Sequence, residues 1–151
     1  MSRPSVERLG PSQIAAMRDA LQVFADAFDE EENFFSAPPS DDYLKRLLSD
    51  PRFVLLLARM DGEAVGALSA YELVKYERER SEFYIYDLAV AEPFRRRGVA
   101  TALIEALKPI ARAAGGWVIF VQADRVDDPA VALYRKLGIE EEPLHFDIPL
   151  D

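Results

Sequence analysis

The feature that most constrains the fold is a continuous apolar run, Phe83 to Val90, which leads into a basic turn and then directly into a helical pattern. The run is rich in β-forming residues and carries one acid, Asp87, so it predicts a largely buried strand. The turn is Arg95-Arg96-Arg97-Gly98-Val99-Ala100, and the helical pattern extends from Val99 to about Ala114. A strand, turn and helix in this order predict a crossover unit of a mixed α/β fold.

The segments before this strand predict two helices and three further strands. Apolar residues recur at helical spacing after Ser12, and two β-rich runs flank Asp61-Gly62, a dipeptide typical of a tight hairpin. The acidic cluster Asp29 to Glu32 is expected to end the first helix. The predicted elements are a strand Val6–Leu9, a helix from about Gln13 to Phe28 capped by Ser12, an ordered loop Asn33–Pro39, a short helix capped by Ser40, and strands Phe53–Met60 and Ala64–Tyr71.

The segments after the basic turn predict two helices and two strands. Pro109 is expected to kink the first of these helices. The dipeptide Gly115-Gly116 ends that helix, and Trp117 to Gln122 predicts a buried strand. Asp127-Asp128-Pro129 opens the second helix, Gly138 closes it, and a last strand is expected over Leu144 to Ile148.

The composition favours one domain over residues 1–151 and excludes several classes of site. Half of the 151 residues are hydrophobic, which suffices for one core. The chain has no cysteine and one histidine, so we expect neither disulfides nor a metal site. No apolar run approaches the roughly 18 residues of a membrane span, and we expect a cytoplasmic protein. The net charge of −9 disfavours nucleic acid and favours cationic partners.

The basic turn predicts a phosphate site. The first N–H groups of a helix have no partner within the helix, and they lie at the positive end of its dipole. Gly98 permits a close approach of the backbone, and the arginines can add charge-assisted hydrogen bonds. The alternative for such a turn is a solvated basic surface loop.

Two motifs together resemble the GNAT superfamily of N-acetyltransferases. The first is Arg95-x-x-Gly98-x-Ala100 after Leu88-Ala89-Val90, and the second is Ala130-x-x-Leu133-Tyr134-x-x-x-Gly138. The resemblance implies an α/β (α+β) fold with a mixed sheet of about six strands, flanked by helices and splayed between strands 4 and 5. It implies acetyl-CoA as cosubstrate, with the Val90 N–H polarising the thioester carbonyl. The coenzyme-binding residues it implies are Leu88, Ala89, Val90, Arg95, Arg96, Arg97, Gly98, Val99, Ala100 and Thr101.

Acyl transfer from a thioester to an amine needs a base for the amine and a proton for the leaving thiolate. Glu82, Asp87 and Asp124 are candidate bases, and Asp87 is the first choice because a carboxylate in an apolar run is costly without a specific role. Its alternative is a carboxylate that only pairs with a cationic substrate group or caps a turn. His145 is a second candidate base. The resemblance places Tyr134 near the coenzyme sulfur as general acid, and its alternative is a purely packing role.

Nearly the whole chain, from about Arg8 to Ile148, resembles the type I aminoglycoside 3-N-acetyltransferases, the gentamicin acetyltransferases. The matching segments are Ser81–Val90, Val121–Asp124, Asp127–Ile139 and His145–Ile148. The resemblance implies acetylation of the 3-amino group of an aminoglycoside by direct attack in a ternary complex, and antibiotic resistance. Competing functions are acetylation of a polyamine or another small metabolite amine, and a module that binds acyl-CoA or a peptide without catalysis.

Aminoglycosides are polycations, so carboxylates are expected to line their site. Acids at the C-terminal end of a helix are disfavoured by the dipole, which favours a binding role for the acidic cluster. Only one strand is expected after the last helix, so a homodimer could complete the sheet edge. The candidate acceptor-binding residues are Asp29, Glu31, Glu82, Asp87, Asp124 and Asp147.

Overall fold

The computed structural model describes residues 3–151, which divide into two compact units. The larger unit ends at Val121 and contains the sheet, and the smaller unit is Gln122–Asp151. None of the helices among the described residues is long and apolar enough to cross a bilayer. The elements are β1 Ser5–Arg8, α1 Ile14–Phe28, α2 Glu31–Phe35, α3 Asp41–Ser49, β2 Phe53–Met60, β3 Glu63–Val74, β4 Ser81–Val90, a 3-10 turn Glu92–Phe94, α4 Val99–Ala113, β5 Gly116–Val121 and, in the smaller unit, α5 Asp128–Leu137.

The larger unit is built on a five-stranded sheet in the order β1-β2-β3-β4-β5. The first four strands are antiparallel to their neighbours, and β5 runs parallel to β4 after the α4 crossover. This is the mixed α/β arrangement predicted from the sequence. The hairpin between β2 and β3 is also confirmed: Asp61 and Gly62 have φ of 51° and 82°, the left-handed pair that a tight two-residue turn requires.

The two faces of the sheet are covered by different helices. On one side, Phe53 and Leu55 of β2 belong to a buried cluster with Met17 and Phe24 of α1 and Leu44 of α3. We call this the α1 face. On the other side, a Cβ added to Gly66 of β3 would lie 2.7 Å from Cγ1 of Val99 in α4, so backbone and helix are in close contact there. We call this the α4 face.

The end of α1 differs from the prediction in two ways. Ser12 does not cap the helix, because the N-cap position falls on Gln13, which makes no side-chain cap bond. The acidic cluster is not simply the end of α1. Asp29 forms the left-handed C-cap, with φ of 53°, whereas Glu31 and Glu32 open the short helix α2 inside the region expected to be loop. There the helix dipole stabilises them, so the unfavourable dipole that was expected for the cluster applies to Asp29 and not to Glu31 or Glu32.

The predicted last strand, Leu144 to Ile148, is not formed. Residues 139–151 have no regular secondary structure, although apolar residues alternate with polar residues or proline from Leu144 to Asp151. A strand forms only where a neighbouring strand satisfies its backbone N–H and C=O groups, and the smaller unit contains helix α5 but no strand within residues 122–151. The alternation therefore indicates a segment that tends to form a strand but has no strand to pair with in the smaller unit.

Candidate active site

The parallel strands β4 and β5 pair over only half of β4. Their register begins at Ser81 and ends where Ile85 meets Val121. Strand β4 continues to Val90, so its last five residues, 86–90, have no partner strand on that side among the described residues of the larger unit. The Ala91 N–H donates to the Val65 carbonyl of β3 at 2.8 Å. Because backbone groups alternate between the two edges of a strand, the N–H of Val90 points to the open edge, away from β3.

The basic turn after β4 is shaped by left-handed backbone. Arg96 and Gly98 have φ of 63° and 80°, and Gly98 is the N-cap of α4, where no side chain caps the helix. The first N–H groups of α4 are therefore left for an external acceptor. Arg95 Nε donates to the Val90 carbonyl at 3.3 Å, which links the turn to the open edge. The exposed Arg97 lies over the Phe94 ring, with its guanidinium carbon 5.5 Å from the ring centroid.

A β-bulge at Tyr86 determines which way Asp87 points. Ser69 of β3 pairs with Asp87 and the next residue, Ala70, pairs with Ile85, so Tyr86 is an extra residue. Directly opposed residues share a face of a sheet, as do residues two apart on one strand. Asp87 thus lies on the face of Ser69 and Tyr71, and not on that of Phe83 and Ile85. The Asp87 N–H donates to Ser69 Oγ at 3.2 Å.

Asp87 is half-buried and has a second acid nearby. Burial raises the pKa of its carboxyl above the ordinary value, and the negative charge of Glu30 raises this pKa further. Glu30 is the N-cap residue of α2 and lies between the predicted contacts Asp29 and Glu31. Glu30 also lines an open depression, together with Glu32, Asn33 and Ser36. The structure therefore selects Glu30, a residue of the acidic cluster, as the neighbour of Asp87.

Aromatic rings form a row across the α1 face beside Asp87. The centroids of Phe53 and Tyr71 are 5.2 Å apart, and Tyr84 stacks on Phe120 at 4.7 Å. Tyr86 connects the two pairs, at 6.0 Å from Tyr71 and 5.9 Å from Tyr84, with its ring edge-on to both. The pKa of the Tyr71 hydroxyl is raised by burial and by Tyr43, Tyr86 and Asp87. The sequence pattern predicts only that these tyrosines form strands, although Tyr84 and Tyr86 alternate with the buried Phe83 and Ile85.

Glu82 is not near Asp87. It lies five residues earlier on β4, and because Tyr86 is the extra residue of the bulge this corresponds to four ladder positions, roughly 13 Å along a strand. Asp29 and Glu31 are exposed at the junction of α1 and α2.

The smaller unit contains the remaining candidates. Tyr134 is on α5, and burial together with the charge of Asp127 raises its pKa to about 12. Asp127 caps that helix, accepting from the Ala130 N–H at 3.3 Å. His145 Nε2 lies 2.9 Å from Asp147 Oδ1, and both side chains are exposed. Asp124 is also exposed.

The fold, the open edge of β4 and the uncapped α4 terminus define a class of protein. Residues 18–139 match the acetyltransferase (GNAT) family, and the chain belongs to that family. It is an acetyltransferase, and the family uses acetyl-CoA. The mixed sheet flanked by helices is the GNAT fold that the sequence predicted.

Solved structures give a finer comparison. An aminoglycoside acetyltransferase from an uncultured soil metagenomic sample is 52% identical, with a TM-score of 0.96 and 99% of both chains covered. A second one from such a sample, in complex with sisomicin, is 32% identical, with a TM-score of 0.90 over 98% of this chain and 97% of that one. An N-alpha-acetyltransferase of Sulfurisphaera tokodaii is 27% identical over 101 residues, which are 62% of this chain and 60% of that protein.

Proposed function

We propose that this acetyltransferase transfers the acetyl group of acetyl-CoA to the 3-amino group of an aminoglycoside, by direct attack in a ternary complex, and so confers resistance. The observation that carries this proposal is the position of Asp87, a carboxylate that the bulge places on the same sheet face as the exposed Tyr71. Burial and the charge of Glu30 raise its pKa. The acceptor class is supported by the 52% identity to an aminoglycoside acetyltransferase over 99% of both chains.

The coenzyme is proposed to bind along the open edge of β4 and the start of α4. The N–H of Val90 points to that edge and is free of β3, so it can donate to the thioester carbonyl and stabilise the oxyanion. The pyrophosphate takes the unpaired N–H groups of α4 and the charges of Arg96 and Arg97. The coenzyme-binding set remains Leu88, Ala89, Val90, Arg95, Arg96, Arg97, Gly98, Val99, Ala100 and Thr101.

Asp87 is proposed as the general base. A carboxylate whose pKa is raised binds a proton more strongly, which makes it a better acceptor for the proton of an ammonium group. Its negative charge also attracts that cation before attack. His145 is the weaker candidate, because its ring is already paired with Asp147. Asp87 thus serves as anchor and base for the same amine.

Tyr134 is proposed to assist the departing thiolate. With a pKa of about 12 its hydroxyl is protonated throughout the physiological range. An ordinary thiol has a pKa of about 8.5, so complete proton transfer from Tyr134 would be uphill by roughly 3 to 4 pKa units. Tyr134 therefore acts mainly as a hydrogen-bond donor to the sulfur, and the proton released by the amine finally neutralises the thiolate.

The other acids are proposed to attract the polycation from further away. Asp29, Glu31 and Glu82 of the larger unit and Asp124 and Asp147 of the smaller unit add negative charge to a chain whose net charge is −9. Exposed charges of this kind raise the rate of encounter more than the affinity, and salt screens them.

The acceptor class is tested with a panel of amines. Acetyl-CoA consumption is measured with gentamicin, sisomicin, spermidine and a short peptide, and the acetylated position of any product is assigned by NMR. The proposal expects turnover of the aminoglycosides with acetylation of the 3-amino group. Turnover of spermidine alone would establish the polyamine alternative, and turnover of no amine, with retained coenzyme binding, would establish the binding module.

A homodimer is proposed as the working form. Leu144, Phe146, Ile148 and Leu150 are 81%, 77%, 85% and 96% exposed, and they alternate with more polar residues and prolines. Such a segment has the pattern of a half-buried strand and needs both a pairing strand and an apolar surface. A second copy of the chain can supply both.

A further inference from the structure

We propose that Tyr71, Tyr84 and Tyr86 form an acceptor-binding wall, which holds an ammonium-bearing ring of the substrate against Asp87. This inference builds on the acyl transfer proposed above. In this inference, the aromatic side chains make the enzyme select ring-shaped polycations over linear polyamines.

The wall is a continuous surface and not a set of separate rings. Tyr71 lies directly opposite Tyr84 in the β3–β4 register, and Tyr86 contacts both. Tyr86 is 62% exposed and Tyr71 is 37% exposed. Phe53 packs against Tyr71 at one end of the wall, and Phe120 stacks on Tyr84 at the other. The rings are therefore already ordered before the substrate arrives. A preordered wall loses little conformational entropy on binding.

The charge around the wall specifies a cationic occupant. Asp87 follows Tyr86 immediately and points to the same face because of the bulge, and Glu30 is close enough to act on Asp87. Aromatic faces attract ammonium groups through the ring quadrupole, and this attraction adds to that of the carboxylates.

A ring and a linear chain would use this wall differently. The apolar face of an aminosugar ring can cover an aromatic ring while its ammonium substituents reach Asp87 and Glu30. A linear polyamine offers cations but no flat face, and it must be ordered on binding. The wall therefore contributes more to a ring-bearing acceptor than to spermidine.

The test compares Tyr86→Leu with Tyr86→Phe. Leucine keeps apolar bulk at the bulge but removes the aromatic face, whereas phenylalanine keeps the face and loses only the hydroxyl. Tyr76→Leu is the matched control, since Tyr76 is 98% exposed and lies outside the wall. Binding of sisomicin and of spermidine is measured by titration calorimetry, which does not depend on turnover.

Tyr86→Leu is expected to weaken sisomicin binding about five- to thirty-fold, the range of a cation–π contact of about 1 to 2 kcal/mol. Spermidine binding is expected to weaken less, and Tyr86→Phe and Tyr76→Leu should bind both amines like the wild type. An unchanged affinity of Tyr86→Leu for sisomicin, or an equal loss for both amines, would overturn the proposal of an acceptor-binding wall. If the wild type acetylates sisomicin while either result holds, the proposed function stands and only the wall is rejected. If the wild type does not bind sisomicin, both proposals fail.

Discussion

Asp87 is a carboxylate whose pKa is raised by burial and by the charge of one nearby acid. Burial among the residues of β3 and β4 and the charge of Glu30 both favour its protonated form. The folded chain therefore holds this proton more tightly than the unfolded chain does. The resulting stabilisation is fully present below the unfolded-state pKa and is lost as the pH rises through the raised folded-state pKa. Where Asp87 is ionised, its charge is a cost to folding, and the role of base that we propose for it requires that charge.

Replacement of Asp87 by asparagine should therefore have opposite effects on stability and activity. We expect Asp87→Asn to raise Tm at pH 7, because it removes a half-buried charge, and to lower kcat/KM by about 10² to 10⁴, the usual contribution of a general base. Thermal melts and steady-state kinetics measure the two effects. Glu63→Gln, which changes an exposed acid at the start of β3 outside the proposed acceptor site, is the control and should keep near-wild-type kcat/KM. A fully active Asp87→Asn enzyme would remove Asp87 from the mechanism.

The charge of Glu30 should be visible in the pH profile. Glu30→Gln removes one cause of the raised pKa of Asp87, so the acidic limb of kcat/KM should move to lower pH. Glu31→Gln is a matched control at the next position, in the first turn of α2, and should leave the limb in place. Equal shifts in the two variants would mean that general surface charge, and not the particular charge of Glu30, raises the pKa of Asp87.

The hydroxyl of Tyr134 should matter for kcat more than for coenzyme binding. We expect Tyr134→Phe to lower kcat by about 10²-fold with little change in KM for acetyl-CoA, because the lost hydrogen bond forms as the thiolate departs. Steady-state kinetics at saturating acceptor give both constants. An unchanged kcat would leave Tyr134 with a packing role on α5.

Helix α4 and the turn before it form the element that we propose to bind the coenzyme through its backbone. Gly98 has φ of 80°, and a Cβ added there would meet no atom within 4 Å, so an alanine costs backbone strain and causes no clash. We expect Gly98→Ala to destabilise the fold by about 1 kcal/mol and to raise KM for acetyl-CoA, because relief of strain would displace the first N–H groups of the helix.

A matched control for Gly98 exists in the hairpin between β2 and β3. Gly62 has φ of 82° and equally open surroundings. Gly62→Ala should therefore show a similar loss of stability in urea unfolding and an unchanged KM for acetyl-CoA. A KM that rises equally in both variants would show that overall stability, and not the helix terminus, controls coenzyme binding.

Local patterns were sufficient to predict most elements, and non-local pairing explains where they failed. Helices α1, α4 and α5 follow apolar spacing, and the Asp61-Gly62 turn follows from the residues that accept positive φ. The bulge at Tyr86 leaves no trace in the local pattern, because Phe83 to Val90 is apolar throughout apart from Asp87. Sequence could therefore select Asp87 but not the face on which it lies. Because the face could not be predicted, neither Glu30 nor the acceptor-binding wall could be associated with Asp87 from the sequence.

At the scale of the whole molecule, the proposed dimer can be tested at the C-terminal segment. Ile148→Asp places a charge within the alternating apolar residues, so we expect light scattering to detect monomers in place of dimers. Ile139→Asp is the control, because Ile139 is 97% exposed but lies outside the alternation. A monomeric wild type at micromolar concentration would contradict the dimer.

The expected single domain over residues 1–151 stays a prediction, which one cooperative unfolding transition would support.

The bulge at Tyr86 also affects which length changes strand β4 can tolerate. Deleting a residue from a strand normally reverses the facing of every side chain on one side of the gap. Tyr86 is the exception, because the ladder already pairs Ile85 with Ala70 and Asp87 with Ser69, as if Tyr86 were absent. Loss of Tyr86 would join these pairs into a regular ladder and leave Asp87 on its face. A relative could therefore lose this one residue, keep Asp87, the proposed base, on the same face, and change only the proposed acceptor-binding wall.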